Sequence, residues 1–203
     1  MPNRVDVGIE GAFLVPLTPH ADERGFLVEV FRHEWLGEVA GMVAGMVAGM
    51  VQANLSRSRA GVLRGLHFHL RQSDYWCVLA GRAFVGLFDL RAGSPTEGRK
   101  AELSLDAEAE RTALYLPPGV AHGFYAETEV LLQYLVDAYY TGEDELGLAW
   151  DDPGVGIAWP GSEPILAERD RHNPGLREAM VDQPRYPGPE HGRLQEPTRR
   201  VDT

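Results

Sequence analysis

The stretch Gly61-Val-Leu-Arg-Gly-Leu-His-Phe-His69, followed by Tyr75-Trp-Cys-Val-Leu-Ala80, Gly81-Arg82 and Ala83-Phe-Val-Gly-Leu-Phe-Asp-Leu-Arg91, decides the fold class. It is dense in Val, Leu, Phe and Trp, which suit a pleated, buried surface, and Gly81-Arg82 interrupts it as a hairpin would. Working outward, Ala101–Leu105, Thr112–Leu116 and Val130–Val136 repeat the pattern between Pro, Gly or acidic turns. Short strands at this spacing predict an all-β sandwich or barrel. Trp35 with its surroundings and Ile165–Arg171 read as short helical pieces. From Asp182 the chain turns to Pro, Gly, Arg and Gln without apolar periodicity. Residues 1–181 therefore read as one domain and 182–203 as a poorly ordered tail.

The 203 residues, 44% hydrophobic, are enough for one real core. Thirty acidic residues against 19 basic ones give a formal charge of −11, and Lys100 is the sole lysine, leaving 18 arginines. An acidic chain without a basic block is a poor candidate for a nucleic-acid or membrane-surface binder, and any anionic ligand needs a local arginine. The single cysteine, Cys77, excludes a disulfide framework, and its apolar neighbours suggest a buried strand thiol. The start, MPNRVDVGIE, has no apolar segment of the secretory kind. The longest uncharged apolar run, Val39 to Val51, has 13 residues, short of the roughly 20 that span a bilayer. The chain thus reads as soluble and cytoplasmic. That run carries VAGM three times, a tandem expansion inserted in a surface connection.

Three of the seven histidines fall in the β region: His67, His69 and His122. In a regular strand His67 and His69 share a face. Asp74 lies five residues on, and His122 follows the tight turn Pro117-Pro118-Gly119 into a further strand. Imidazoles and a carboxylate grouped in a barrel-like domain suit proton transfer or metal binding.

Longer motifs narrow this. Asp22-Glu23-Arg24-Gly25-Phe26, Gln52-Ala53-Asn54-Leu55-Ser56, Gly61-Val62-Leu63-Arg64-Gly65-Leu66-His67-Phe68 and Asp89-Leu90-Arg91-Ala92-Gly93-Ser94-Pro95-Thr96 occur in order. Pro117-Pro118-Gly119-Val120-Ala121-His122-Gly123-Phe124, Trp150-Asp151-Asp152-Pro153, Ile157-Ala158-Trp159-Pro160 and Ala167-Glu168-Arg169-Asp170 follow. From about residue 8 to 177, leaving out the repeat and the tail, the chain resembles the dTDP-4-dehydrorhamnose 3,5-epimerase family of cupin-like barrels. The resemblance implies a cupin-type jelly-roll β barrel whose partners are a second copy in a homodimer and a dTDP-4-keto-6-deoxyhexose substrate. It also implies cofactor-free inversion of carbons α to the C4 ketone, in deoxysugar and cell-surface polysaccharide biosynthesis. Such chemistry needs a base, enolate stabilisation and an acid on the opposite face. By resemblance His67 is the base, Asp170 the carboxylate that orients it, and Tyr134 the acid. Arg24, Glu29, Gln52, Asn54, Arg64, His122 and Tyr140 match substrate- or nucleotide-binding positions.

One departure stands out. Where the family has a lysine near the substrate's C4 oxygen, this sequence has Asp74, in a loop about three residues shorter, and Lys100 lies in another loop. Arg71 is the nearby cation. The same segment has the spacing of a cupin metal motif, Gly61-x5-His67-x-His69-x4-Asp74-x6-Gly81, and Pro117-x-Gly119-x2-His122 resembles the second motif. The alternative expectation is therefore one divalent transition metal on His67, His69, Asp74 and His122. A non-catalytic sugar-nucleotide binder is the other.

Overall fold

The structure is a computed structural model that describes residues 3–36, 49–142, 144–181 and 184–186. All but the end of the VAGM run, and all of the tail except residues 184–186, lie outside the described residues. The strands are β1 (Val5–Asp6), β2 (Phe13–Pro16), β3 (His20–Asp22), β4 (Gly25–Leu27), β5 (Gln52–Ser58), β6 (Leu63–Phe68) and β7 (Asp74–Ala80). They continue with β8 (Arg82–Asp89), β9 (Lys100–Asp106), β10 (Thr112–Leu116), β11 (Val120–Ala126), β12 (Val130–Val136) and β13 (Leu146–Gly147). One-turn helices α1 (His33–Leu36), α2 (Glu168–Arg171) and α3 (Leu176–Ala179) complete the set. No helix among these is long and apolar enough to cross a membrane.

The strands form an antiparallel six-stranded sheet, β1-β2-β10-β7-β12-β5, and an antiparallel five-stranded sheet, β13-β6-β11-β8-β9, with β3-β4 as a separate hairpin. From β5 to β13 the chain changes sheet at every connection except the β8–β9 hairpin, giving the jelly-roll pattern of two facing sheets. Residues 184–186 run beside Ala92 on the outside.

Side-chain alternation explains the packing. Along β7, Trp76 and Val78 point between the sheets, where they meet Val85, Leu87, Val120 and Phe124 of the other sheet. Tyr75 and Cys77 point the opposite way, into a second apolar layer with Phe13, Val15, Leu17 and Leu36 from the N-terminal segment. The five-stranded sheet is covered likewise: Leu66, Phe68, Phe88 and Ala121 pack under Leu148, Val155 and Ala179. Central strands buried on both faces need apolar residues at nearly every position, which is why they read as continuous runs rather than alternating ones. Cys77 is buried as expected, and burial pushes its thiol up to about 11, away from nucleophilic use.

Gly81 differs from the hairpin its sequence suggested. β7 and β8 do not pair; the chain crosses there from one sheet to the other. The residue sits at φ +82°, and a Cβ would collide with the Glu129 carbonyl, so only glycine turns this corner.

Candidate active site

A cavity of about 380 Å3 lies between the two sheets. The six-stranded sheet contributes Gln52, Asn54, Ser56, Asp74, Trp76 and Tyr134 to its wall. The five-stranded sheet contributes Arg64, His67, His122 and Phe124, and the loops add His69, Gln72, Tyr140 and Glu145. Edge strand β5 shows how the wall becomes polar. Gln52, Asn54 and Ser56 alternate inward, while Ala53, Leu55 and Arg57 are exposed on the other face.

On β6 the alternation is broken to good effect. His67 pairs with His122 and Arg64 with Phe124, so three steps on β6 oppose two on β11. This bulge brings Arg64 and His67, three residues apart, onto the same cavity face. It is centred on Gly65 at φ +116°, where a Cβ would lie 2.8 Å from both Gly123 Cα and the His122 carbonyl. A side chain there would push β6 off β11.

Asp170 stands behind His67. Residues before α2 run beside the start of β6, with the Leu63 N–H donating to the Ile165 carbonyl at 3.0 Å. That docking buries Asp170 to 4% exposure. Its Oδ1 lies 2.7 Å from His67 Nε2, and its Oδ2 accepts the Gly65 N–H at 3.2 Å. Burial alone would raise this carboxyl. The hydrogen bond and charge of His67, with the Gly65 N–H and Arg169, outweigh it and hold Asp170 below the usual range. An ionised Asp170 places the proton of His67 on Nε2 and leaves Nδ1 with the free lone pair.

Tyr134 is on β12, on the opposite sheet, and lines the same cavity. Burial, then the charges of Asp74 and Glu145, raise its phenol, so it carries its proton at neutral pH. Glu145 is held below the ordinary range despite burial by its ion pair with Arg169 at 2.5 Å. His122 is 4% exposed, and its Nδ1–H donates to the Val120 carbonyl at 2.9 Å. Burial pushes His122 down to about 4, with Asp74 opposing, so the ring is neutral. Asp74, also 4% exposed, accepts from Gln72 Nε2 at 2.8 Å and from Trp76 Nε1 at 3.1 Å.

The cavity therefore unites His67, Tyr134, Gln52, Asn54, Arg64, His122 and Tyr140, with Asp170 as the support of His67. Within one chain, Arg24 and Glu29 are not part of it. Arg24 caps the β3–β4 hairpin in an exposed ion pair with Asp22, and Glu29 pairs with Arg32 beside a shallow surface groove. Of the four expected metal ligands, His69, Asp74 and His122 converge, and His67 is not in that group. Asp74 does occupy the cavity wall, and Arg71 lines an adjoining groove instead. Lys100 opens β9 rather than sitting in a loop, and it pairs with Glu102, away from the cavity. Ser56, Gln72 and Glu145 are cavity residues that sequence reasoning missed. Ser56 carried a signal, being two residues beyond Asn54 on one strand face.

Two facing antiparallel sheets, with a cavity between them furnished for moving protons, place this chain among the jelly-roll isomerases. Residues 6–178 match the family described as dTDP-4-dehydrorhamnose 3,5-epimerase, and the chain belongs to that family. A Sinorhizobium fredii dTDP-4-dehydrorhamnose 3,5-epimerase is 39% identical over 168 residues, covering 79% of this chain and 82% of the relative. A Neisseria gonorrhoeae relative of the same name is 35% identical over 187 residues; the match takes in 90% of this chain but 55% of that protein. Among solved structures, the Mycobacterium tuberculosis RmlC epimerase superposes with a TM-score of 0.82 at 32% identity, covering 91% of this chain and 94% of that one. ChmJ, a 3'-monoepimerase from Streptomyces bikiniensis in complex with dTDP-quinovose, gives 0.81 at 34% identity, covering 90% and 93%.

Proposed function

We propose that this chain inverts one or both carbons flanking the C4 ketone of a dTDP-4-keto-6-deoxyhexose. The observation that carries this is the placement of a supported imidazole and a protonated phenol on opposite sheets facing one cavity. Inversion needs that arrangement, because the proton must leave one face of the sugar and return to the other. His67 Nδ1 takes the α-proton, and the C–H electron pair moves into an enolate whose charge rests on the C4 oxygen. Asp170 holds the imidazolium formed. The Tyr134 O–H then protonates the opposite face of the carbon, and solvent restores both groups. Side chains supply every proton movement, so no organic cofactor is needed.

Arg64 is the one arginine lining the cavity among the described residues, and it binds substrate phosphate or sugar oxygens. Gln52 and Asn54, already hydrogen-bonded to each other at 2.9 Å, present amides to the same ligand, with His122 and Tyr140 beside them. Arg24 is 85% exposed on a hairpin that also exposes Phe26 and Leu27. We assign this hairpin, with Glu29, to a homodimer in which it reaches the site of a second copy. One domain over residues 1–181, acting in the cytoplasm in deoxysugar biosynthesis, completes the proposal.

The test is solvent deuterium incorporation into a dTDP-4-keto-6-deoxyhexose, followed by NMR. Incorporation at C3 and C5 is expected for a double epimerase, and at one carbon for a monoepimerase. Saturable binding without incorporation above background overturns the reaction in favour of a binding protein.

A further inference from the structure

We infer that His69, Asp74 and His122 form a binding site for one divalent transition-metal ion in the wall of the cavity. One ligand atom from each lies within 4.8 Å of the others, and all three residues line the cavity. Both imidazoles are already set for coordination. His122 donates Nδ1–H to the Val120 carbonyl at 2.9 Å, and His69 Nδ1 lies 2.5 Å from the Asp144 carbonyl. The loop that carries His69 is fixed as well: the Leu70 and Arg71 N–H groups donate to the Asp144 carboxylate at 2.8 and 3.0 Å. Backbone carbonyls that occupy Nδ1–H leave each Nε2 lone pair free, which is the support metal-binding histidines use.

The second observation is an unclosed contact. His122 Nε2 and Asp74 Oδ2 face each other at 3.8 Å, beyond hydrogen-bond reach, and both side chains are about 5% exposed. With the ring proton on Nδ1, held by the Val120 carbonyl, the Nε2 lone pair stands near a carboxylate oxygen in a buried place. A cation between them engages both. Bonds of about 2.1 Å to a tetrahedral ion set its ligands about 3.4 Å apart, so this pair needs to close by only a few tenths of an ångström. Gln72 and Trp76 hold the Asp74 carboxylate in position and leave it lone pairs for the ion. Two nitrogens and one oxygen suit Zn2+, Co2+, Fe2+ or Ni2+, whereas Mg2+ and Ca2+ prefer oxygen alone. His67 is outside the set because the ligand atoms that converge within 4.8 Å are those of His69, Asp74 and His122.

The site itself is independent of the proposed reaction. Only its use rests on that reading: an ion open towards the cavity adds positive charge beside a developing enolate, in a wall whose only arginine among the described residues is Arg64.

The test uses untagged, chelator-stripped protein titrated with Co2+ by visible absorption and with Zn2+ by calorimetry. One equivalent is expected to bind with micromolar or tighter affinity. Because His122 is embedded in the sheet interior, variants are made at the other two positions. His69→Ala and Asp74→Asn each weaken binding by about 100-fold or more, and His172→Ala, at an exposed histidine, leaves it unchanged. Absence of one-equivalent binding to the wild type, or equal binding by both variants, overturns the site. Deuterium exchange is scored separately. Metal uptake without exchange supports the site and sinks the reaction; exchange by protein that takes up no metal sinks the site and leaves the reaction standing.

Discussion

Replacing Asp170 with Asn keeps the shape of a buried side chain and removes its charge, so it isolates what the carboxylate does for His67. In the resting site His67 Nε2 lies 2.7 Å from Asp170 Oδ1. When His67 accepts a proton, a unit positive charge forms about 4 Å from the centre of the carboxylate charge, worth about 4 kcal/mol at an effective dielectric of 20. The imidazole side chain is 23% exposed, which screens part of this, leaving about 3 to 4 kcal/mol. At about 1.4 kcal/mol per factor of ten, the variant should lose roughly 140- to 700-fold in kcat. Asp170 does not line the cavity, so KM should change by no more than about threefold. Steady-state epimerisation, read from product by NMR or a coupled reduction, measures both. A kcat within about threefold of wild type, or a loss carried wholly by KM, would refute the claim that Asp170 stabilises the protonated base.

Stability should rise with pH between about 4 and 6.5, because His122 is held neutral down to about 4 while the unfolded chain protonates it near 6.5. The stabilisation is fully present above the unfolded value and is lost as pH falls towards the folded one, at up to about 1.4 kcal/mol per pH unit. Urea midpoints at stepped pH check this, and a flat profile in that window speaks against it. Asp170, also held low, adds a further loss below about pH 4, of the same sign. Gly65→Ala should destabilise the fold by about 3 kcal/mol or more, given φ +116° and two backbone contacts at 2.8 Å; an unshifted melting temperature would contradict the packing described. Tyr75→Phe should be neutral or stabilising by about 1 kcal/mol, since the buried Tyr75 hydroxyl has no hydrogen-bond partner among the described residues; a loss above about 1 kcal/mol in thermal denaturation would show that it has one.

The central strands were legible in the sequence because both their faces are covered. Thr112–Leu116 and Val130–Val136 coincide with β10 and β12, and the runs around Gly81 became β7 and β8. β5, QANLSRS, does not read as a strand. Its inward face meets a cavity instead of a core and is polar, while its outward face is exposed, so neither face carries an apolar signal. The β1–β4 strands are two to four residues long, too short for periodicity to show. The one-turn α3 was missed for the same reason, while α1 and α2 fell inside the segments around Trp35 and Ile165–Arg171.

In the site, the spacing of His69, Asp74 and His122 did foreshadow a cluster. Period-two reasoning would have set Arg64 and His67 on opposite faces, and the bulge at Gly65 reverses that. The contact between His67 and Asp170 spans 103 residues and no local pattern encodes it; it came with the family resemblance. The placement of Arg24 and Glu29 outside the cavity could not be read from the sequence, because a matching position does not record which groove the side chain lines.

The central claim is that base and acid work from opposite sheets, and the ratio of proton exchange to inversion tests it most directly. With a dTDP-4-keto-6-deoxyhexose in deuterated solvent, Tyr134→Phe should still exchange the α-proton at a rate near wild type while inversion falls by about 100-fold or more. His67→Asn should lose both. Exchange that persists without His67, or that falls in step with inversion when only the Tyr134 hydroxyl is removed, would contradict the two-sided site.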